Sequence, residues 1–208
     1  MPRLVVIGAG GHAKVVVELA RSCGFEVVGC LDADDTPRLV VGAPVIGKDD
    51  MAASLLSDGV RFAALGIGRN RVRERISVEL EALGFTLPAL ISPKAVVSPS
   101  AEVERGAIVM PCAVLNAECR IGPFGIVNTS ASVDHDCRLG IAVHVAPGSR
   151  IAGSVFIGDR AMIGVGSAVA PGVTIGADAT LGAGATAIHD IPSNTIAVGT
   201  PARARATR

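Results

Sequence analysis

The sequence predicts an α/β Rossmann-like domain over residues 1–90, followed by an all-β left-handed parallel β-helix over residues 91–208. Two observations carry this reading. From position 91 to position 181 an aliphatic residue recurs at every sixth place, sixteen times with no slip of register. Ahead of that repeat, two aliphatic runs each end in a glycine turn that opens a helical pattern.

The first run is Arg3–Ile7, and it ends in Gly8-Ala9-Gly10-Gly11-His12-Ala13. Helical spacing follows through Val16, Leu19, Ala20 and Cys23 until Gly24 stops it. A second strand, Glu26–Leu31, ends at the acidic tip Asp32-Ala33-Asp34-Asp35. Gly8, Gly10 and Ala13 satisfy G-x-G-x-x-[G/A], and Asp32 stands at about the spacing such units use for an acidic residue. Bare glycine N–H groups at a helix start accept a phosphate at close range, and a carboxylate on the next strand tip can bond a ribose or base. The bland alternative is a tight strand-to-helix turn with no ligand. The domain continues with a strand near 44–46, a helix over about 49–56, a strand Phe62–Leu65, a turn Gly66-Ile67-Gly68-Arg69-Asn70, a helix over about 71–83 and a strand at 86–90. This is one half of a doubly wound sheet, which suits a mononucleotide unit and disfavours redox use of NAD. Gly68 and Asn70 lie on the sheet edge where such folds bind ligands. Arg73 reads equally as a group reaching a ligand or as a solvated helix residue.

In the repeat, the aliphatic stops run Ile91, Val97, Val103 and onward to Ile175 and Leu181, and four places after each stop stands Ala, Cys, Gly, Ser or Val. Helices repeat at 3.6 and strands at 2, so period six belongs to short strands wrapped in triangular coils. Three hexapeptides make a coil, giving about five coils and a prism roughly 25 Å tall at ~4.8 Å per layer. Open solenoid ends need covers, and the tail after Asp190 is placed to supply one.

Against that background the segment Asn128-Thr129-Ser130-Ala131-Ser132-Val133-Asp134-His135-Asp136 is polar. His135 falls two places past a core residue and should point outward near a corner. His144 precedes Val145 and should sit on another face. Half a coil apart, the two imidazoles could meet only between packed prisms, which predicts a homotrimer with intersubunit sites. A histidine beside carboxylates is suited to general-base work near neutral pH; either Asp134 or Asp136 could orient it. The competing reading is a solvated histidine among surface acids. The histidine and aspartate spacing fits no usual metal set, so no metal is expected. His189 reads as a surface residue.

Lys plus Arg equals Asp plus Glu at 19 each, which offers no electrostatic case for nucleic acid or membrane surface. No apolar run approaches the ~20 residues a membrane span needs. Five cysteines without a C-x-x-C pair suit a reducing cytoplasm, the expected location.

Along essentially its whole length the chain resembles the nucleotide-sugar N-acetyltransferases that modify 4-amino-4,6-dideoxy sugars. The sialic acid O-acetyltransferases share that layout. The resemblance rests on Gly8 to Lys14, on Ile67-Gly68-Arg69-Asn70-Arg71-Val72-Arg73, on Asn128-Thr129 with Val133-Asp134-His135-Asp136-Cys137, and on Val198-Gly199-Thr200-Pro201-Ala202-Arg203. It implies a Rossmann-like domain that binds the nucleotide sugar and a β-helix that uses acetyl-CoA as co-substrate, in a pathway supplying glycan precursors. It implies His135 as general base with Asp136 as its polarising carboxylate, and Asn128 holding the amine or acetyl group. His144 from an adjacent subunit would bond acetyl-CoA near the thioester, with Gly153 and Gly164 along the pantetheine and Arg203 at a phosphate, where relatives usually carry Lys. Gly10, Gly11, His12, Asp32, Gly68 and Asn70 would receive the nucleotide, UDP- or GDP-linked. Two other readings stand beside it: O-acetylation of a free sugar such as sialic acid, and a β-helix scaffold without catalysis.

Overall fold

The structure is a computed structural model that describes residues 1–205, and it divides into two compact units, Met1–Pro93 and the remainder from Lys94. In the first unit, β1 (Arg3–Ile7), α1 (Gly11–Ser22), β2 (Glu26–Leu31), β3 (Leu39–Val40), β4 (Ala43–Gly47), α2 (Ala52–Ser57), β5 (Phe62–Leu65) and α3 (Asn70–Leu83) succeed one another. They build a five-stranded sheet of order β3-β4-β2-β1-β5. Only the β3–β4 hairpin is antiparallel. Leu4, Val5, Val6 and Ile7 of the interior strand β1 are buried without a break, as expected where helices cover both faces of a parallel sheet. The helix expected over 49–56 starts as a single 3-10 turn, Asp49–Met51, before α2. Of the strand expected at 86–90, Thr86 forms a parallel bridge with Phe62 and Leu90 opens the two-residue strand Leu90–Ile91. Pro88 has no N–H to continue that ladder.

The second unit is the expected left-handed parallel β-helix. Two-residue strands recur every six residues from Val96–Val97 to Thr186–Ala187. Away from the ends of the series, each pairs in parallel with the strands 18 residues before and after it, as Ser132 pairs with both Val114 and Arg150. They form three faces: the first carries strands 114–115, 132–133 and 150–151, the second 120–121, 138–139 and 156–157, and the third 126–127, 144–145 and 162–163. The second residue of each strand points inward, so Leu115, Val133, Ile151, Ile121, Leu139, Val127 and Val145 stack into one buried column.

From position 112 to position 184 each corner places one residue in the left-handed region. It stands three places past the aliphatic stop, and the series 112, 118, 124, 130, 136, 142, 148, 154, 160, 166, 172, 178 and 184 has positive φ throughout. Only four of these are glycine; the others carry side chains as varied as Glu118, Phe124, Asp136 and Arg160 at a cost of about 1–2 kcal/mol each. The next residue turns back into the core, which is why Ala113, Cys119, Ala131 and Cys137 are small and buried.

The tail closes one end of the prism. Ile196–Val198 adds in parallel to Thr180–Leu181 and pairs antiparallel with Arg203–Ala204, burying Ala197 and Ala202 against the last coil. Among the described residues no helix is long and apolar enough to cross a membrane.

Candidate active site

At the carboxyl edge of the first unit's sheet, the two glycine turns pack against each other. Gly8 has φ +101°, and a Cβ there would stand 3.0 Å from the carbonyl oxygen of Gly66. A Cβ on Gly66 would in turn be 2.7 Å from that of Ala13. These glycines serve packing. Gly10, Gly11 and Gly68 are different, since a side chain at any of them would enter open space. The structure thus sorts the glycines into two that join the loops and three that leave the edge bare.

Asp32 does not simply project from its strand tip. Its Oδ2 accepts the Ala9 N–H at 2.6 Å and its Oδ1 the Asp34 N–H at 3.0 Å, while Arg38 lies 3.7 Å away. Arg38 also donates to the carbonyl of Asp34 and to that of Thr36, a partner that sequence reading did not anticipate. His12 occupies the first turn of α1, where burial, reinforced by the Arg73 charge, lowers its pKa to about 4 and keeps it neutral. Asn70 opens α3, and its Oδ1 accepts a bond from Arg73 Nη2 at 3.0 Å. Arg73, read from sequence as ligand-reaching or solvated, is neither: its side chain is wholly buried.

In the β-helix, His135 stands at the corner between the first and second faces. Asp136 has φ +60°, and this left-handed turn swings its carboxylate alongside the preceding ring. Neighbours on a flat strand would point apart; here Nδ1 of His135 lies 2.7 Å from Oδ2 of Asp136. That bond, more than any other influence, raises the His135 pKa above its ordinary value. The alternative partner is engaged elsewhere: Asp134 accepts the His135 backbone N–H at 2.8 Å and Asn116 Nδ2 at 2.9 Å. These bonds lower its pKa. With Nδ1 turned to a carboxylate, Nε2 is the nitrogen that can take up a proton.

Gly153 lies beside that nitrogen. A Cβ on Gly153 would stand 2.5 Å from His135 Nε2, so the imidazole rests on a glycine of the next coil. Gly164 fills a different place. Its N–H donates to Leu181, its carbonyl accepts from Ser149 Oγ, and a Cβ would meet the backbone of the next coil at 2.6 Å. Asn128 and His144 come together on the third face, with Asn128 Nδ2 3.1 Å from His144 Nε2. Asn128 Oδ1 accepts the Thr129 N–H at 2.8 Å, which orients the amide as donor to the ring and places the His144 proton on Nδ1. Within one chain, then, His135 with Asp136 and Gly153 form one cluster, and Asn128 with His144 another on a different face. Arg203 is exposed on the tail hairpin, donating to the carbonyl of Ala202. His189 is exposed. Among the described residues no group of His, Cys, Asp and Glu is arranged to hold a metal ion.

Residues 3–80 match the PglD N-terminal domain family, and residues 154–188 match the bacterial transferase hexapeptide (six repeats) family. Perosamine N-acetyltransferase from Caulobacter crescentus, solved as a mutant with CoA and GDP-perosamine, is 46% identical. The match covers 98% of this chain and 97% of that one, with a TM-score of 0.96. The acetyltransferase domain of PglB from Neisseria gonorrhoeae, in complex with acetyl coenzyme A, is 42% identical over 98% of this chain and 99% of its own, with a TM-score of 0.91. WeeI from Acinetobacter baumannii is 27% identical over 97% and 99%, at a TM-score of 0.85. An uncharacterized protein of Acanthamoeba polyphaga mimivirus is 31% identical over 105 residues, 49% of this chain; the chain spans 20% of that protein's length. With nearly full-length matches above 40% identity and both domains accounted for, the chain belongs to the nucleotide-sugar N-acetyltransferases of the left-handed β-helix, hexapeptide-repeat acyltransferases.

Proposed function

We propose that this protein transfers the acetyl group of acetyl-CoA to the amine of a nucleotide-linked 4-amino-4,6-dideoxy sugar, with His135 as general base. The observation that carries the reading is the His135–Asp136 bond of 2.7 Å, which leaves Nε2 beside Gly153 as the proton acceptor. The sugar amine attacks the thioester carbon, a C–N bond forms, and His135 Nε2 takes the proton that nitrogen sheds. The tetrahedral oxyanion then collapses, the C–S bond breaks, and the proton passes to the departing thiolate of CoA. Holding both reactants together supplies much of the acceleration, and the oxyanion needs a donor such as the N–H of Gly153. Asp136 stabilises the imidazolium formed midway.

The remaining assignments follow the chemistry of each group. Gly10, Gly11 and Gly68 offer a bare edge on which a diphosphate can approach backbone N–H groups. His12, held neutral, serves as a hydrogen-bonding partner there and not as a counter-ion. Asp32 fixes the first glycine turn through Ala9 and faces the nucleoside with Asn70. His144, held against Asn128, bonds acetyl-CoA near the thioester, and Arg203 meets a phosphate of the coenzyme. Because His135 and His144 lie on different faces of one prism, the site is completed between copies, and a homotrimer is the assembly that suits three faces. The enzyme works in the cytoplasm, where acetyl-CoA and nucleotide sugars are held. GDP is favoured as carrier, since the Caulobacter relative was solved with GDP-perosamine.

Thiol release from acetyl-CoA over GDP-, UDP-, dTDP- and CMP-linked sugars and free sialic acid tests this. Release with a 4-amino nucleotide sugar is the expected result. Release only with an unlinked sugar would indicate O-acetylation, and none with any acceptor would indicate a scaffold.

A further inference from the structure

Among the described residues Arg73 is the largest side chain buried completely. An ionised guanidinium out of water is costly unless its donors are satisfied, and three of its bonds run to one stretch of chain. Nη1 donates to the carbonyls of Ile67 at 3.2 Å and Gly68 at 3.1 Å, and Nη2 donates to Asn70 Oδ1 at 3.0 Å. Ile67 and Gly68 belong to the turn between β5 and α3, which packs on Gly8 and has its open surface at Gly68, and Asn70 is the first residue of α3.

These contacts fix more than the loop's position. In a trans peptide the carbonyl and the following N–H point opposite ways. Drawing the Ile67 and Gly68 carbonyls inward therefore turns the N–H groups of Gly68 and Arg69 outward, on the side where Gly68 has nothing within 4 Å of a would-be Cβ. Outward N–H groups in succession form a concavity that favours an anion. Here a buried positive charge stands behind it. The reach of that charge is visible at the other glycine turn, where it adds to burial in keeping His12 neutral.

We propose that Arg73 is a positioning residue for the acceptor substrate: by holding the carbonyls of Ile67 and Gly68, it presents the Gly68 and Arg69 N–H groups to the diphosphate of the nucleotide sugar. The proposal rests on the nucleotide-sugar reading. It makes the loop selective for the diphosphate over the nucleoside, with no contact between Arg73 and the ligand.

The test is calorimetric titration of the full-length protein and its Arg73→Met and Arg73→Lys variants with GDP, UDP, the two nucleosides and acetyl-CoA. Melting curves confirm that each variant is folded. Arg73→Met should weaken the bound nucleoside diphosphate about 10- to 100-fold, the loss expected for charge-assisted bonds to an anion, while nucleoside and acetyl-CoA affinities stay within about threefold. Arg73→Lys keeps the charge but not the forked reach and should fall between; it carries the test if Arg73→Met does not fold. A variant that binds diphosphate as well as the unaltered protein overturns the proposal. So does one that loses nucleoside and diphosphate alike, because a purely structural role would do that. If the unaltered protein binds neither diphosphate, the nucleotide-sugar reading itself falls and takes this proposal with it.

Discussion

The imidazole of His135 rests on Gly153, one coil further along, so closely that any Cβ at that glycine would stand 2.5 Å from Nε2. Parallel stacking at 18-residue intervals puts Ala117, His135 and Gly153 in one corner column, with the Ser154 N–H bonded to the His135 carbonyl at 2.8 Å. The glycine therefore shapes the seat of the base. Asp136, bonded to the opposite nitrogen, holds the ring in it.

Gly153→Ala tests that seat. Gly153 does not have positive φ, so alanine is compatible with its backbone, and the atom it would displace belongs to a side chain that can rotate. The expected outcome is a fall in kcat of about 10- to 100-fold through misplacement of the base, with Tm lowered by no more than a few degrees. Steady-state thiol release and thermal melting check the two halves.

The Asp136 bond sets the acid limb of the pH profile. Because it favours the imidazolium, the His135 pKa lies above 6.5, and kcat/KM should fall as pH drops through that raised value. Asp136→Asn tolerates the left-handed backbone but removes the negative charge. The limb should shift to lower pH, and the plateau rate should drop about tenfold or more as the base weakens. A pH–rate series for both proteins measures the shift.

His12 predicts an opposite kind of pH dependence, in stability. The folded protein holds it near 4 while the unfolded chain protonates at the ordinary 6.5. Above pH 6.5 neither state binds the proton and the group contributes nothing. Between 6.5 and about 4 the unfolded chain binds more protons, so stability falls as pH falls. Denaturant melts across this window should show the decline, and His12→Gln should flatten it.

An ion pair away from His135 links two successive coils. Arg160 and Asp178, 18 residues apart and both left-handed corner residues, share bonds of 3.0 Å from Nε to Oδ1 and 3.0 Å from Nη2 to Oδ2. Their side chains are only 21% and 15% exposed, so removing one partner strands a shielded charge. Asp178→Ala should cost roughly 1–3 kcal/mol and lower Tm by several degrees while leaving kcat unchanged, as read by melting and turnover assays.

The repeat was legible because its core position admits only aliphatic residues, and the glycine turns because their strands and helices keep strict patterns. The corner residues were hidden: positions such as Glu118, Phe124 and Arg160 share a backbone conformation but no chemistry. Asp136 belongs to that series, which is why adjacency alone left Asp134 open beside it and only the family resemblance pointed to Asp136. The glycine seat depends on which residue stacks one coil away, so Gly153 read only as a backbone contact for the coenzyme. Arg73 was ambiguous because its acceptors are carbonyls of a loop whose path no residue pattern discloses. Arg38, at the edge of the sheet, sits beside Asp32 only because the short β3–β4 hairpin, absent from the sequence reading, turns the chain back there.

Turnover by His135→Ala is the most direct test of the account. With acetyl-CoA and a 4-amino nucleotide sugar that the unaltered enzyme uses, thiol release should fall about a hundredfold or more, while acetyl-CoA binding by titration is retained. Turnover equal to that of the unaltered protein would contradict the assignment of His135 as the base.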